Sequence, residues 1–258
     1  MTVAIVTDSA AALPGDLVAK YDITVVPMRI EDGERVTTSA PAPGDFEVAI
    51  RDRIDRGAEG VLVVTLTSTL SASCQAATVA VRELRGRAQV VDSRTAAGGQ
   101  ALVVLAAAAA AVDNRSLADV AATAGAVAGR VRLVGTVPDL SHLVRSGRVP
   151  AVAGWAGRKL RVSPLFELRD GTVHRLRPAR STDAALDRMI ARMRRSRESA
   201  SRLHVVALHA HASAAAAALL ARVEAELAPA TALVSEFGPV MVVHTGPGIL
   251  GLAWWWET

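Results

Sequence analysis

Short apolar runs that end in hydroxyls and acids punctuate the first half of the chain. Residues 3–6 (VAIV) lead into Thr7-Asp8-Ser9, residues 61–65 (VLVVT) into Thr67, Ser68, Thr69 and Ser71, and residues 89–91 into Asp92-Ser93. Unbroken runs of four or five such residues fit strands covered on both faces, as in parallel sheets. Between the runs, apolar positions recur at helical spacing: Phe46, Ile50 and Ile54; Leu70, Cys74 and Ala77; then residues 99–112 and 116–127. A further helix begins near Leu13-Pro14, with Asp8 or Ser9 as its cap and Pro14 in the first turn, where proline is tolerated. Residues 23–30 predict a second strand, closed by the turn Glu31-Asp32-Gly33. Residues 37–44 (TTSAPAPG) form a hydroxyl-rich loop stiffened by Pro41 and Pro43. This alternation of strand and helix predicts a mostly parallel, Rossmann-like sheet.

From Val131 onward the pattern changes, because strand candidates follow one another without a helix between every pair. They cover residues 132–137, 160–168, 173–177, 204–209, 232–237 and 241–244, with Arg169-Asp170-Gly171-Thr172 as a hairpin turn. Leu186, Met189, Ile190 and Met193 put one apolar stripe on a helix, which leaves Arg188, Arg192, Arg194, Arg195 and Arg197 mainly outward. Residues 213–227 give another helix. The expected architecture is therefore α/β with two domains. Residues 1–129 form an N-terminal domain on a mostly parallel sheet, and residues 130–258 a C-terminal domain on a mixed or antiparallel sheet with helices on one face.

Composition narrows the function classes. The chain has 258 residues, 51% hydrophobic but only 3% aromatic, so Ala, Val and Leu must build the core. The formal net charge of +4 is small for a nucleic-acid binder, and the arginine-rich helix has no interleaved aromatics to stack on bases. Cys74 stands alone, which excludes an intrachain disulfide. No basic segment and cleavage site precede the first strand, and the longest apolar run, residues 101–112, is too short to span a bilayer. A cytoplasmic protein is expected. His142, His174, His204, His209 and His211 show no metal-ligand spacing, so neither a metal nor another cofactor is expected.

Candidate chemistry concentrates where strands end. The hydroxyls at residues 67–71 precede a helix start, whose free backbone N–H groups favour an anion. From this stretch alone, ordinary capping is the simpler account of them. No GxxxxGK[ST] and no GxSxG are present, so the site is neither a nucleotide P-loop nor a nucleophile elbow. What it can hold is a small negative group, most simply a carboxylate.

Taken together, TDSAA at 7–11, TSAPAPGDF at 38–46, LTSTLSASCQAA at 66–77, VVDS at 90–93, RSGR at 145–148 and EFGPVMVVHTGPG at 236–248 resemble the DegV family of bacterial fatty-acid-binding proteins. The resemblance runs nearly end to end and in order. It implies a two-domain α/β fold with a long-chain fatty acid in a tunnel between the domains, and no catalysis by this chain alone. It also implies a partner, an ATP-dependent fatty-acid kinase that converts the presented acid to an acyl phosphate for phospholipid synthesis. By motif, Thr38 and Ser68 correspond to the carboxylate-binding hydroxyls. Arg148 and His244 correspond to residues that serve the exposed head group or the encounter with the kinase, while Thr67, Ser71 and Asp8 take secondary places. Three departures stand out. The segment before Thr38 is shorter than usual, Thr67 and Thr69 replace the usual serine and glycine, and Ala72 replaces a glycine after the second loop serine. The competing reading is an acyl- or phosphoryl-transfer enzyme using His244 and Ser68, with Asp8 or Asp92 to orient the histidine. Neither reading involves nucleic acid or a membrane span; transient contact with a membrane surface is compatible with both.

Overall fold

A computed structural model describes residues 2–31, 36–84, 86–148, 162–197 and 201–258. The turn at Asp32-Gly33 and the start of the strand expected at 160–168 lie outside them. The first half runs β1 (Val3–Asp8), α1 (Gly15–Lys20), β2 (Thr24–Val26), β3 (Arg29–Glu31), β4 (Thr37–Ser39), α2 (Pro43–Asp55), β5 (Gly60–Thr65), α3 (Ser73–Val81), β6 (Ala88–Asp92), α4 (Ala97–Val112) and α5 (Leu117–Ala128). Strands β2, β1, β5 and β6 form a parallel sheet in that order, with Val6 opposite Thr24, Val3 opposite Gly60 and Val61 opposite Ala88. Every residue of β5 is buried, which is why its run carries no polar alternation. Val61 and Val63 pack with Phe46 and Ile50 of α2 and Ala77 of α3, whereas Leu62 and Val64 face α4 and α5.

The second half runs β7 (Arg132–Thr136), α6 (Ser141–Ser146), β8 (Ser163–Arg169), β9 (Thr172–Ala179), α7 (Thr182–Arg195), β10 (Arg202–His209), α8 (Ser213–Leu227), β11 (Thr231–Glu236), α9 (Pro239–Thr245) and β12 (Leu250–Glu257). Its six-stranded sheet has the order β11-β10-β12-β7-β8-β9 and is mixed: β10 and β11 are parallel and the other pairs antiparallel. The stripe Leu186, Met189, Ile190 and Met193 is buried with α8 against one face, around the fully buried Trp254. The opposite face meets α4. A Cβ at Gly98 of α4 would fall 2.6 Å from Leu208 Cδ2 and 2.7 Å from Val206 Cγ1, so only glycine permits the helix to approach this closely. One hydrophobic cluster therefore runs from Ile5 and Leu62 through α4 to Val206, Leu208 and Ala253. Among the described residues no helix is long and apolar enough to cross a membrane.

The structure corrects several expectations. Residues 23–30 are two strands in different sheets; Pro27, which lacks an N–H for a ladder, lies between them. Residues 37–39 are not loop but β4, which pairs antiparallel with β3. Residues 241–244 belong to helix α9, not to a strand, because a four-residue apolar run fits either state and Pro239 at the first position favours a helix start. The hydroxyls at 67–71 do not supply the N-cap of α3, which is Ala72 without a side-chain bond; Ser71 Oγ accepts instead from Ser73 N at 3.2 Å. Asp8 caps the 3-10 turn Ser9–Ala11, not α1, and Ser9 Oγ accepts from Met28 N. Arg192 does not point to solvent, but forms an ion pair with the buried Glu167.

Candidate functional site

Between the two sheets lies a cavity of about 210 Å³. The first half contributes Thr38 from β4 and Leu66, Leu70 and Ser71 from the β5–α3 loop; the second contributes Leu133, Phe166, Leu168 and Val173 from the sheet and Leu143, Ser146, Met241 and His244 from α6 and α9. Most of this wall is apolar. Its polar groups are chiefly hydroxyls, one imidazole and one guanidinium.

Thr38 and His244 meet here. Thr38 Oγ1 lies 2.6 Å from His244 Nε2 across 206 residues of sequence, and both line the cavity. His244 Nδ1 is buried and makes no hydrogen bond. Burial, with the positive charge of Arg148 as a second cause, holds the imidazole below its ordinary pKa and so keeps it neutral. Either neutral tautomer leaves one donor over. If Nε2 accepts the Thr38 hydroxyl proton, Nδ1 carries an N–H; if Nε2 donates, the Thr38 hydroxyl is free to donate elsewhere. With Nε2 protonated, the Thr38 hydroxyl is thus a hydrogen-bond donor without a formal charge.

Arg148 follows Gly147, the left-handed cap that ends α6, and is exposed, with Nη1 donating to Ser146 O at 2.8 Å. It borders the cavity from the solvent side. The histidine helix and the Arg148 turn are held together through a second contact, His142 of α6 against the backbone of Gly246. A Cβ at Gly246 would sit 2.7 Å from the His142 ring, and its φ of +74° is itself a glycine conformation.

The remaining candidates fall elsewhere. Ser71 is on the cavity wall and Ser68 is not: Ser68 is exposed, and its backbone N–H donates to Asp92 Oδ2 at 3.1 Å. Of these two serines the structure thus brings Ser71, and not Ser68, to the cavity, because the loop turns after Leu70. Thr67 is buried behind the wall, its Oγ1 3.3 Å from Thr69 Oγ1, and Thr69 donates to Gly171 O at the β8–β9 turn. Asp8 is fully buried, and burial raises its carboxyl above the usual range although Gln100 and the backbone N–H groups of Leu66 and Ala10 oppose the shift. Its Oδ2 accepts from Leu66 N at 2.9 Å, so it holds in place a wall residue but does not reach the cavity. Asp92 is engaged similarly, by Ser68 N and by Arg94 N at 2.8 Å. Sequence reasoning missed Ser146, Met241 and Thr245. The signal for the last two was present, since Met241, His244 and Thr245 have the i, i+3, i+4 spacing of one helix face. Among the described residues no group of three His, Cys, Asp or Glu side chains is placed to hold a metal.

The fold and the pattern of motifs have counterparts. A family profile described as "Uncharacterised protein, DegV family" matches residues 30–257. A DegV domain-containing protein of Mycobacterium tuberculosis is 34% identical, with 98% of this chain and 96% of that protein covered. A protein of Thermotoga maritima named "Fatty acid-binding protein" is 26% identical over 97% of this chain and 96% of its own length. Among solved structures, "Fatty Acid Binding of a DegV family Protein from Thermus thermophilus" superposes with a TM-score of 0.91 at 28% identity, covering 99% of both chains. Profile, sequence relatives and three-dimensional structure agree over nearly the whole length, and the chain belongs to the DegV family.

Proposed function

We propose that this protein binds a long-chain fatty acid in the cavity between the sheets and presents its carboxylate to a separate ATP-dependent fatty-acid kinase. The observation that carries the reading is the Thr38–His244 pair, an uncharged polar contact on a mostly apolar wall. Each methylene buried along Leu, Phe, Val and Met side chains contributes about 0.8 kcal/mol, so the tail supplies most of the affinity. The head group then needs orientation more than charge. Hydroxyls and a neutral imidazole suit that task, since they avoid the desolvation cost of a buried ion pair and leave the carboxylate nucleophilic. On this reading Thr38 and Ser71 bind the carboxylate, His244 completes the donor set, and the exposed Arg148 serves the approach of the phosphoryl donor. Ser68, Thr67 and Asp8 support the loop. The two halves correspond to domains 1–129 and 130–258, and the cytoplasmic setting expected from sequence goes with a partner that consumes ATP. The fatty acid named for the Thermotoga and Thermus relatives supports the ligand class.

The enzyme alternative is weakened by His244 itself. Its Nδ1 meets no carboxylate, and Asp8 and Asp92 are committed to backbone donors. Native mass spectrometry of the purified protein tests the proposal. A co-retained fatty acid, displaced by added long-chain acid, is the expected result; an empty protein that takes up no added acid would refute it.

A further inference from the structure

A second pocket, of about 240 Å³, opens on the face of the six-stranded sheet that carries α7 and shares no residue with the first cavity. Arg130 and Arg132 enter it from the start of β7, Arg169 and Asp170 from the β8–β9 turn, and Ser196, Trp254 and Trp256 form its back. The back wall is rigid. Both indole N–H groups donate to Ser196 Oγ, at 2.8 and 3.1 Å, and Ser196 Oγ in turn donates to Met193 O.

The charge on the front wall is unbalanced. The antiparallel register that pairs Leu133 with Leu168 sets Arg132 and Arg169 opposite one another at the next position, an arrangement that like charges disfavour. The nearest carboxylates pair with them only at long range. Glu167 gives both oxygens to Arg192 and is 3.9 Å from Arg132, and Asp170 Oδ2 is 3.4 Å from Arg169 Nε without hydrogen-bond geometry. Arg169 Nε is buried and makes no hydrogen bond. The C-terminal end of α7 does not require these cations either, because Ser196 N already donates to Arg192 O and Met193 O, and Arg197 N to Arg194 O. Three guanidinium groups thus line the hollow with Asp170 as the one carboxylate in its wall; Arg130 Nη1 donates to Thr258 Oγ1 at 2.8 Å, whereas Arg132 and Arg169 hold only long ion pairs and Arg169 Nε has no hydrogen-bond acceptor.

We infer that this pocket is an oxyanion site of the phosphate class, taking free phosphate or a phosphomonoester head group between Arg132 and Arg169. Guanidinium forks match tetrahedral oxyanions in bidentate geometry, and each such bond is charge-assisted. The two tryptophans make the site self-reporting.

Inorganic phosphate would be titrated into the full chain and followed by tryptophan fluorescence and calorimetry, with sodium chloride at matched ionic strength as control. Saturable binding beyond the chloride control is expected, weakened about tenfold or more by Arg132→Gln or Arg169→Gln and only partly by Arg169→Lys. Far-UV circular dichroism identifies any variant that fails to fold, and the Lys variant keeps the test decisive in that case. Vesicles containing phosphatidic acid, compared with phosphatidylcholine alone, distinguish the two sources. Binding to phosphatidic acid vesicles without binding to free phosphate assigns the site to a head group, and the reverse assigns it to free phosphate. A response to phosphate no larger than that to chloride, with no preference for phosphatidic acid vesicles, overturns the proposal. So does a response that Arg169→Gln and Arg169→Lys both leave unchanged.

Discussion

Thr38 Oγ1 and His244 Nε2 stand 2.6 Å apart although the two residues belong to opposite halves of the chain. One side comes from a three-residue strand, the other from a seven-residue helix, and neither element carries the site alone. The contact is where the two halves jointly create a polar point in an apolar cavity.

Removing one member tests whether that point orients a carboxylate. Thr38→Ala is expected to weaken binding of a long-chain acid by roughly 1.5–3 kcal/mol, the usual worth of a hydrogen bond to a charged group. Binding of the matching fatty alcohol should change much less. If the wild-type protein binds acid and alcohol equally, the carboxylate assignment fails.

Arg148 is expected to matter to turnover and not to affinity. Arg148→Ala should retain fatty acid, because the side chain is exposed and the tail contacts survive, yet slow acyl-phosphate formation by a cognate kinase. The same change removes a cation that depresses His244, so the imidazole pKa should rise, as read by proton NMR. Parallel loss of fatty-acid binding and phosphorylation would instead make Arg148 a direct ligand of the acid.

The sign of the pH dependence follows from His244. Its pKa is lower folded than unfolded, so between the two values the unfolded chain binds more protons and stability rises with pH. Acidification below about 6.5, the ordinary histidine value, should therefore destabilise the protein progressively until His244 protonates in the folded state. Melting temperatures of wild type and His244→Gln across this range provide the check, and parallel profiles would remove His244 as the cause.

Asp8→Asn is expected to destabilise the protein by about 1–3 kcal/mol near neutral pH, since an amide N–H₂ would face the donors of Leu66, Ala10 or Gln100. The raised pKa gives a second signature. Folded protein binds this proton more tightly than the unfolded chain does, so the Asp8 contribution to stability is largest below the ordinary carboxylate value and is lost as pH rises through the folded one. The variant should lack that acid-side component. Denaturant melts at several pH values measure both effects.

Arg192 should behave unlike its neighbours on α7. Arg192→Gln leaves the buried Glu167 with only the distant Arg132 and is expected to cost up to about 3 kcal/mol, near the lower bound for breaking a buried pair. Arg194→Gln, which removes an exposed pair with Glu226, should fall within about 1 kcal/mol of wild type. Equal effects in urea melts would mean that Glu167 is not dependent on Arg192.

Much of the fold was legible because burial leaves a periodic trace. The run at residues 61–65 is unbroken because β5 is covered on both faces, and Leu186, Met189, Ile190 and Met193 recur at helical spacing because α7 buries one side. The site was legible only in part. Thr38, Arg148 and His244, singled out through motif resemblance, all line the cavity, but that Ser71 lines it and Ser68 does not depends on how a loop turns, which short hydroxyl stretches do not encode as periodicity. Residues 241–244 were misread for a related reason: four apolar residues are too few to separate a period of 2 from one of 3.6. The Thr38–His244 contact spans 206 residues and has no local signature at all.

Helix α4 is buried against both sheets, with Gly98 seated on Val206 and Leu208. A clamshell needs a cleavage plane, and here the plane is occupied by a helix common to both lobes. Ligand exchange therefore cannot proceed by swinging the halves apart without exposing the apolar cluster they share. On the proposed function, a ligand would enter by local rearrangement at the cavity rim, where Thr38 and His244 stand, while the frame stays shut.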